Sequence, residues 1–160
     1  MDEAKYLQHV SAFKHNNRFV ITSNAKTEEG IWYLSKPIRH FAIHSNPIEI
    51  GNVVLASLES SQTRLPNSPS PTDLNQLMDE LYQTAGASSL NAFLNDALHC
   101  GIGHSQDGIE ISPTHNHGIE HEPSGFVFNF ENRILVEDPT PEVLGHAFLQ
   151  GFAACTSIYL

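Results

Sequence analysis

The stretch Gly125-Phe126-Val127-Phe128-Asn129-Phe130-Glu131-Asn132-Arg133-Ile134-Leu135-Val136-Glu137-Asp138-Pro139-Thr140-Pro141 sets out the plan of the fold. Phe126, Phe128 and Phe130 alternate with Val127, Asn129 and Glu131, the period-2 pattern of a strand with one face in a core. Asn132-Arg133 fits a two-residue hairpin turn, and Ile134-Leu135-Val136 fits a second strand that stops at Asp138-Pro139. A helix is expected next. Thr140 is suited to the N-cap and Pro141 to the first helical position, and Glu142 sets a negative charge beside the positive helix end. Val143, Leu144, Ala147, Phe148, Gly151, Phe152 and Cys155 recur at three- and four-residue steps, giving one apolar stripe. That spacing predicts a core helix, with Phe148 and Phe152 packed on the Phe126–Phe130 strand.

The strand, the Asp138-Pro139-Thr140-Pro141 cap and Leu144-Gly145 inside the terminal helix resemble the end of the bacterial contact-dependent growth inhibition (CDI) immunity proteins. The resemblance implies an α+β fold and a cytosolic chain that neutralises the toxin domain of a delivered effector. It is closest over the last quarter of the chain.

Working outward, the 160 residues are 40% hydrophobic, enough for a single domain over 1–160 with one core. Cys100 and Cys155 fall at an expected helix end and in the apolar stripe, where reduced thiols pack. Met1-Asp2-Glu3-Ala4-Lys5 lacks the basic-then-apolar pattern of a signal peptide, and no apolar run approaches a membrane span, so a cytoplasmic, membrane-free protein is expected.

Tyr6–Lys14 and Arg18–Ser23 read as a hairpin turning at His15-Asn16-Asn17, followed by short strands at Ile31–Leu34 and Ile38–His44 and another at Asn52–Ser60. Ser60–Pro71 is rich in Ser, Thr, Asn and Pro and reads as an exposed connector. Ser70 or Thr72 then caps a helix carrying Leu74, Leu77, Met78, Leu81 and Tyr82 up to Gly86. Ser89 opens another, lined by Leu90, Phe93, Leu94, Ala97 and Leu98 and stopped by Gly101. Segregated strands and helices predict an α+β fold: a mainly antiparallel sheet with a pair of central helices and a C-terminal helix packed on it.

Charge is distributed unevenly. Residues 1–64 hold seven Lys/Arg against six acids, whereas residues 65–160 hold Arg133 alone against twelve Asp and Glu; the net charge is −10. That field repels nucleic acid and favours a basic partner. It can also serve solubility alone.

Candidate chemistry lies in the Gly- and His-rich segment 101–122. His115-Asn116-His117-Gly118-Ile119-Glu120-His121 places three imidazoles and a carboxylate within seven residues, the donor types of a zinc shell, but no HExxH helix or Cys pair completes a recognised motif. Gly101-Ile102-Gly103-His104 lacks the third glycine of a dinucleotide loop, and no phosphate-binding Gly-Lys-Ser/Thr occurs, so no cofactor is expected. Ser105 has no nucleophile elbow around it, and His99 beside Cys100 on a helix would point some 100° away from the thiol. Two function classes follow. One is a non-enzymatic immunity protein, monomeric when free, that binds a basic nuclease toxin one-to-one through Asp107, Glu110, His115, His117, Glu120, His121 and Glu122, with the acids exposed and unpaired. The other is a small metal-dependent hydrolase with His115, His117 and His121 as ligands and Glu120 as base.

Overall fold

A computed structural model describes residues 5–65 and 67–159; Met1–Ala4, the bulk of the segment read against a signal peptide, and Pro66 of the connector lie outside the described residues. The order is β1 (Gln8–His15), β2 (Arg18–Ser23), β3 (Ala25–Thr27), β4 (Trp32–Tyr33), β5 (Ile38–Ala42), α1 (Pro47–Glu59), β6 (Gln62–Leu65), α2 (Pro71–Thr84), α3 (Leu90–Asp96), β7 (Leu98–Ser105), β8 (Gly108–Asn116), β9 (Phe126–Phe128), β10 (Ile134–Val136), α4 (Pro141–Ala153) and β11 (Thr156–Ser157). The main sheet runs β10-β8-β7-β1-β2-β5, antiparallel throughout, with β9 antiparallel and β11 parallel on β8. A small sheet, β4-β3-β6, stands apart from it. The α+β class expected from sequence is the one found.

Alternation gives the main sheet two unlike faces. Val10 and Ala12 of β1, Phe19 and Ile21 of β2, Cys100 and Ile102 of β7, and Ile109 and Ile111 of β8 face α1 and α4 and make the larger core. Phe148 and Phe152 each stand 4.9 Å, centroid to centroid, from Phe19. Their ring partners are Phe19 of β2 and, for Phe148, Phe41 of β5, whereas Phe126 packs with the smaller core on the opposite face; the expected contact with the Phe126–Phe130 strand does not form. On that second face, α2 and α3 bring Leu81 and Phe93 onto Phe13 and Val20.

The β1–β2 hairpin turns on Asn16 and Asn17, whose φ values of 47° and 59° are the left-handed pair that such a turn demands. The turn also serves α2. Gly86 (φ 76°) lets the N–H of Ala87 reach Tyr82 O at 2.9 Å and its own N–H reach Gln83 O at 3.0 Å, closing the helix. Its remaining end carbonyls accept bonds from the hairpin: Asn16 Nδ2 donates to Gly86 O at 2.8 Å and Arg18 to Thr84 O, with His15 Nδ1 3.2 Å from Ala85 O.

Four elements differ from expectation. The Asn52–Ser60 run is helical: Asn46 Oδ1 accepts from the N–H of Glu49 at 3.0 Å, Pro47 occupies the first position, and Ile50, Val54 and Leu58 are buried one turn apart. The helix from Ser89 ends at Asp96, and Leu98 begins a strand, so Cys100 lies in β7 rather than at a helix end. The supposed connector contributes β6, parallel to β3. The hairpin at Asn132-Arg133 is absent; a 3-10 turn spans Phe130–Asn132, and β9 and β10 each pair with β8 instead.

Helices α1 and α4 begin alike, as Asn46-Pro47-Ile48-Glu49-Ile50-Gly51 and Thr140-Pro141-Glu142-Val143-Leu144-Gly145. They meet reciprocally. A Cβ on Gly51 would overlap the Pro141 carbonyl, and one on Gly145 the Pro47 carbonyl, so backbone touches backbone at both points.

Candidate functional site

Of the seven sequence-selected residues, Glu110 and His115 lie on strand β8 and the other five in the turn before it or the loop after it. At about 3.4 Å per residue, Asp107 and His115 stand roughly 27 Å apart, so the structure divides the expected single region between two ends of the sheet. Asp107 is exposed in the β7–β8 turn, where its own N–H donates to Ser105 Oγ at 3.2 Å. Glu110 departs from expectation: it is 6% exposed, Lys5 Nζ donates to Oε2 at 2.9 Å, and Tyr6 Oη donates to Oε1 at 2.9 Å. Burial by itself would raise its pKa, but those two bonds and the charges of Lys5 and Arg133 prevail and hold it below the ordinary value of 4.5. In mid-strand, directed to the sheet's polar face, it is a buried paired acid and not an exposed unpaired one.

At the far end, His115 and His117 meet edge to face at 4.5 Å, and His115 Nδ1 lies 2.7 Å from Thr156 Oγ1 of β11. The chain then loops out and back: His117 N–H donates to Gly125 O at 2.9 Å and Gly125 N–H to Gly118 O at 2.8 Å. Glu120, His121 and Glu122 stand exposed on this loop. Asn116, which the sequence reading passed over, anchors it. Its Nδ2 donates to Leu94 O and Ala97 O, each at 2.9 Å, while its Oδ1 accepts from Gly118 N–H at 2.8 Å. Asn95 Oδ1 accepts from Ile119 N–H at 3.0 Å, so the tip is tied to α3 from both sides. Among the described residues, no three His, Cys, Asp or Glu side chains converge as a metal shell, which leaves the hydrolase alternative without its ligand set.

His99 and Cys100 point to opposite faces of β7, out of reach for proton transfer. Cys100 instead meets Cys155, Sγ to Sγ 3.3 Å, both buried and free, and burial pushes the Cys100 thiol up.

The polar face of the sheet is the larger feature missed from sequence. Asn24 Nδ2 donates to His9 Nδ1 (2.8 Å) and to Ser11 Oγ (2.9 Å), and Asn24 Oδ1 accepts from Thr22 Oγ1 (2.8 Å). The network makes His9 Nδ1 an acceptor and leaves the proton on Nε2. Burial lowers the His9 pKa to about 4; burial and then the His9 charge lower that of His99 to about 3. Tyr6 and Phe128 cover this face at Gly103 and Gly101, where a Cβ would fall 2.4 and 2.8 Å from their rings. A signal was available: His9, Ser11 and His15 of β1 and His99, Gly101, Gly103 and Ser105 of β7 fall on alternate positions, broken only by Phe13.

Beyond β10 lies a groove of about 690 Å³ between that strand and α4, bordered by Glu137 and Asp138. The backbone at Gly108 abuts the Val136 carbonyl and Glu137 Cα, so Asp107 adjoins the same acidic corner. Val143, expected inside the helix stripe, is 50% exposed on the groove wall.

The family model of the CDI immunity proteins matches residues 8–155. Among solved structures, the fold is similar to a protein of unknown function from Neisseria meningitidis, with a TM-score of 0.76 and 14% identity over 92% of this chain and 94% of that one. It is also similar to a CdiA-CT/CdiI toxin and immunity complex from Yersinia pseudotuberculosis, with a TM-score of 0.73 and 17% identity over 93% of this chain and 97% of that one. No curated protein matches.

Proposed function

The chain belongs to the CDI immunity protein family, and from that premise we propose that the toxin it neutralises is a basic nuclease domain whose active site it covers, one-to-one and by binding alone, in the cytoplasm. The observation that carries this reading is the one-sided charge: residues 65–160 hold Arg133 against twelve acids. Asp107, Glu120 and Glu122 are exposed, and Glu137 and Asp138 extend the series. Such acids match a surface evolved to hold phosphate, and opposite potentials raise the encounter rate. His115, His117 and His121 adjoin the far acids and complete the contact set. Glu110 contributes indirectly, by holding Lys5 and Tyr6 in place.

The test uses the cognate toxin domain, sought in the genes that adjoin this one. Nuclease activity against RNA and DNA is followed as the immunity protein is added, and an oligonucleotide that binds the toxin's active site is then used as competitor. Full inhibition at one equivalent, with the oligonucleotide displacing the immunity protein, is expected. Inhibition that the oligonucleotide leaves untouched overturns active-site coverage. Reversing Asp107, Glu120 and Glu122 to Lys is expected to slow association and leave the melting temperature nearly unchanged, because exposed acids contribute little to folding. If association is unaffected, the acids of α2 and α3, Asp73, Asp79 and Asp96, become the contact surface.

A further inference from the structure

Among the described residues the main sheet ends at β10, and no further strand covers the adjoining side of α4. The groove left there has Ile134 and Val136 on one wall and Val143, His146, Ala147 and Gln150 on the other, the last four falling on one helical stripe. Its lining combines these apolar side chains with Glu137 and Asp138, and Arg133, just before β10, is the nearest Lys or Arg in sequence. A net charge of −10 disfavours a second copy of this chain, nucleic acid or an anionic lipid surface as occupant. An acidic corner beside an apolar slot fits a protein segment that offers a bulky apolar side chain flanked by lysine or arginine. We propose that the groove between β10 and α4 seats such a segment of the toxin domain as the central anchor of the complex, with the exposed acids elsewhere acting as its rim. This rests on the reading of the partner as a cationic toxin domain.

Binding kinetics of the full chain to its cognate toxin domain distinguish the anchor from the toxin reading. Val143→Glu removes the aliphatic wall but places its charge in the first helical turn, where the helix dipole favours it, so the fold is expected to hold. Dissociation should become about tenfold faster, the equivalent of losing one buried valine. Gln150→Arg, exposed and near the helix C-terminus, introduces a cation into the groove without disturbing the core and should slow association. Glu29→Lys, exposed in the loop after β3 and away from the groove, should leave the dissociation rate unchanged. Wild-type off- and on-rates in both groove variants overturn the anchor while leaving the toxin reading intact. Failure of the wild-type chain to bind that domain at all overturns the toxin reading and the anchor with it. Sedimentation giving a dimer that Val143→Glu abolishes overturns it also, by making the occupant a second copy.

Discussion

His9 Nε2 and His99 Nδ1 are buried without a hydrogen-bond partner among the described residues, on the face of the sheet that otherwise satisfies its polar groups through Asn24, Ser11 and Thr22. Neutral rings tolerate that position and charged ones do not. Both folded-state pKa values lie below 6.5, at about 4 and about 3, so the unfolded chain binds more protons once the pH drops beneath 6.5. The stability they permit is fully present above 6.5 and is lost as the pH falls toward the folded values. Each histidine should withdraw up to about 2 kcal/mol between pH 6.5 and 5. Glu110 acts lower on the scale: its depressed pKa supports the fold above the ordinary 4.5 and is lost beneath it. Urea denaturation at pH 7 and pH 5 checks the assignment. His99→Phe, placed among Phe13, Phe126 and Phe128, should flatten the dependence between those values. An unchanged slope would mean that His99 takes up its proton within the folded state.

At the scale of elements, α1 and α4 hold the larger core, and two kinds of substitution test how. Phe148 is fully buried against Phe19 and Phe41, and Phe148→Ala should cost about 3 to 5 kcal/mol. Gly51→Ala and Gly145→Ala add one methyl each, in ordinary helical backbone where alanine would otherwise be preferred. Here each methyl meets a proline carbonyl that only a shift of the whole facing helix could move, so each should destabilise by about 1 to 3 kcal/mol, read as a lowered denaturation midpoint. A neutral or stabilising result would mean that the helices lie farther apart. The elements legible in sequence are those with local signatures: the Asn16-Asn17 hairpin, α2 between Ser70 and Gly86, and α4 from Thr140. Helix α1 was not, because Ile48, Ile50, Val53, Val54 and Leu55 are apolar around much of its circumference and so many branched residues hide the 3.6-residue period. Nor was β7, since Ala97 and Leu98 continue the spacing of Leu90, Phe93 and Leu94 although the helix has ended. What stops it is tertiary: Asn116 of β8 donates to the end carbonyls of Leu94, Asn95 and Ala97, and from Leu98 onward the chain pairs with β1.

For the whole molecule, the charge asymmetry was legible from counting, and its exposed members on the 117–125 loop and the β7–β8 turn were identified from sequence. Glu110 was misread because its partners Lys5 and Tyr6 lie more than a hundred residues away in the chain. The groove was invisible for the same reason, being made where a sheet stops beside a helix. A field of −10 should make toxin association steeply salt-dependent, because the screening length shrinks from about 30 Å at 0.01 M salt to about 8 Å at 0.15 M. Stopped-flow rates across that range should fall for the wild-type chain and fall less for the Asp107, Glu120 and Glu122 reversal; equal slopes would remove these residues from the encounter surface. The reciprocal meeting of Gly51 with Pro141 and Gly145 with Pro47 has a consequence in time. The face of the sheet that α1 covers is completed only by a helix made some ninety residues later. At about 5 to 20 residues per second, a ribosome takes several seconds to cross that interval, during which Phe19, Ile21 and the inner side of α1 await their partner. A chain arrested before Pro141 is therefore expected to leave that face of the sheet open, because α1 lacks the helix it meets.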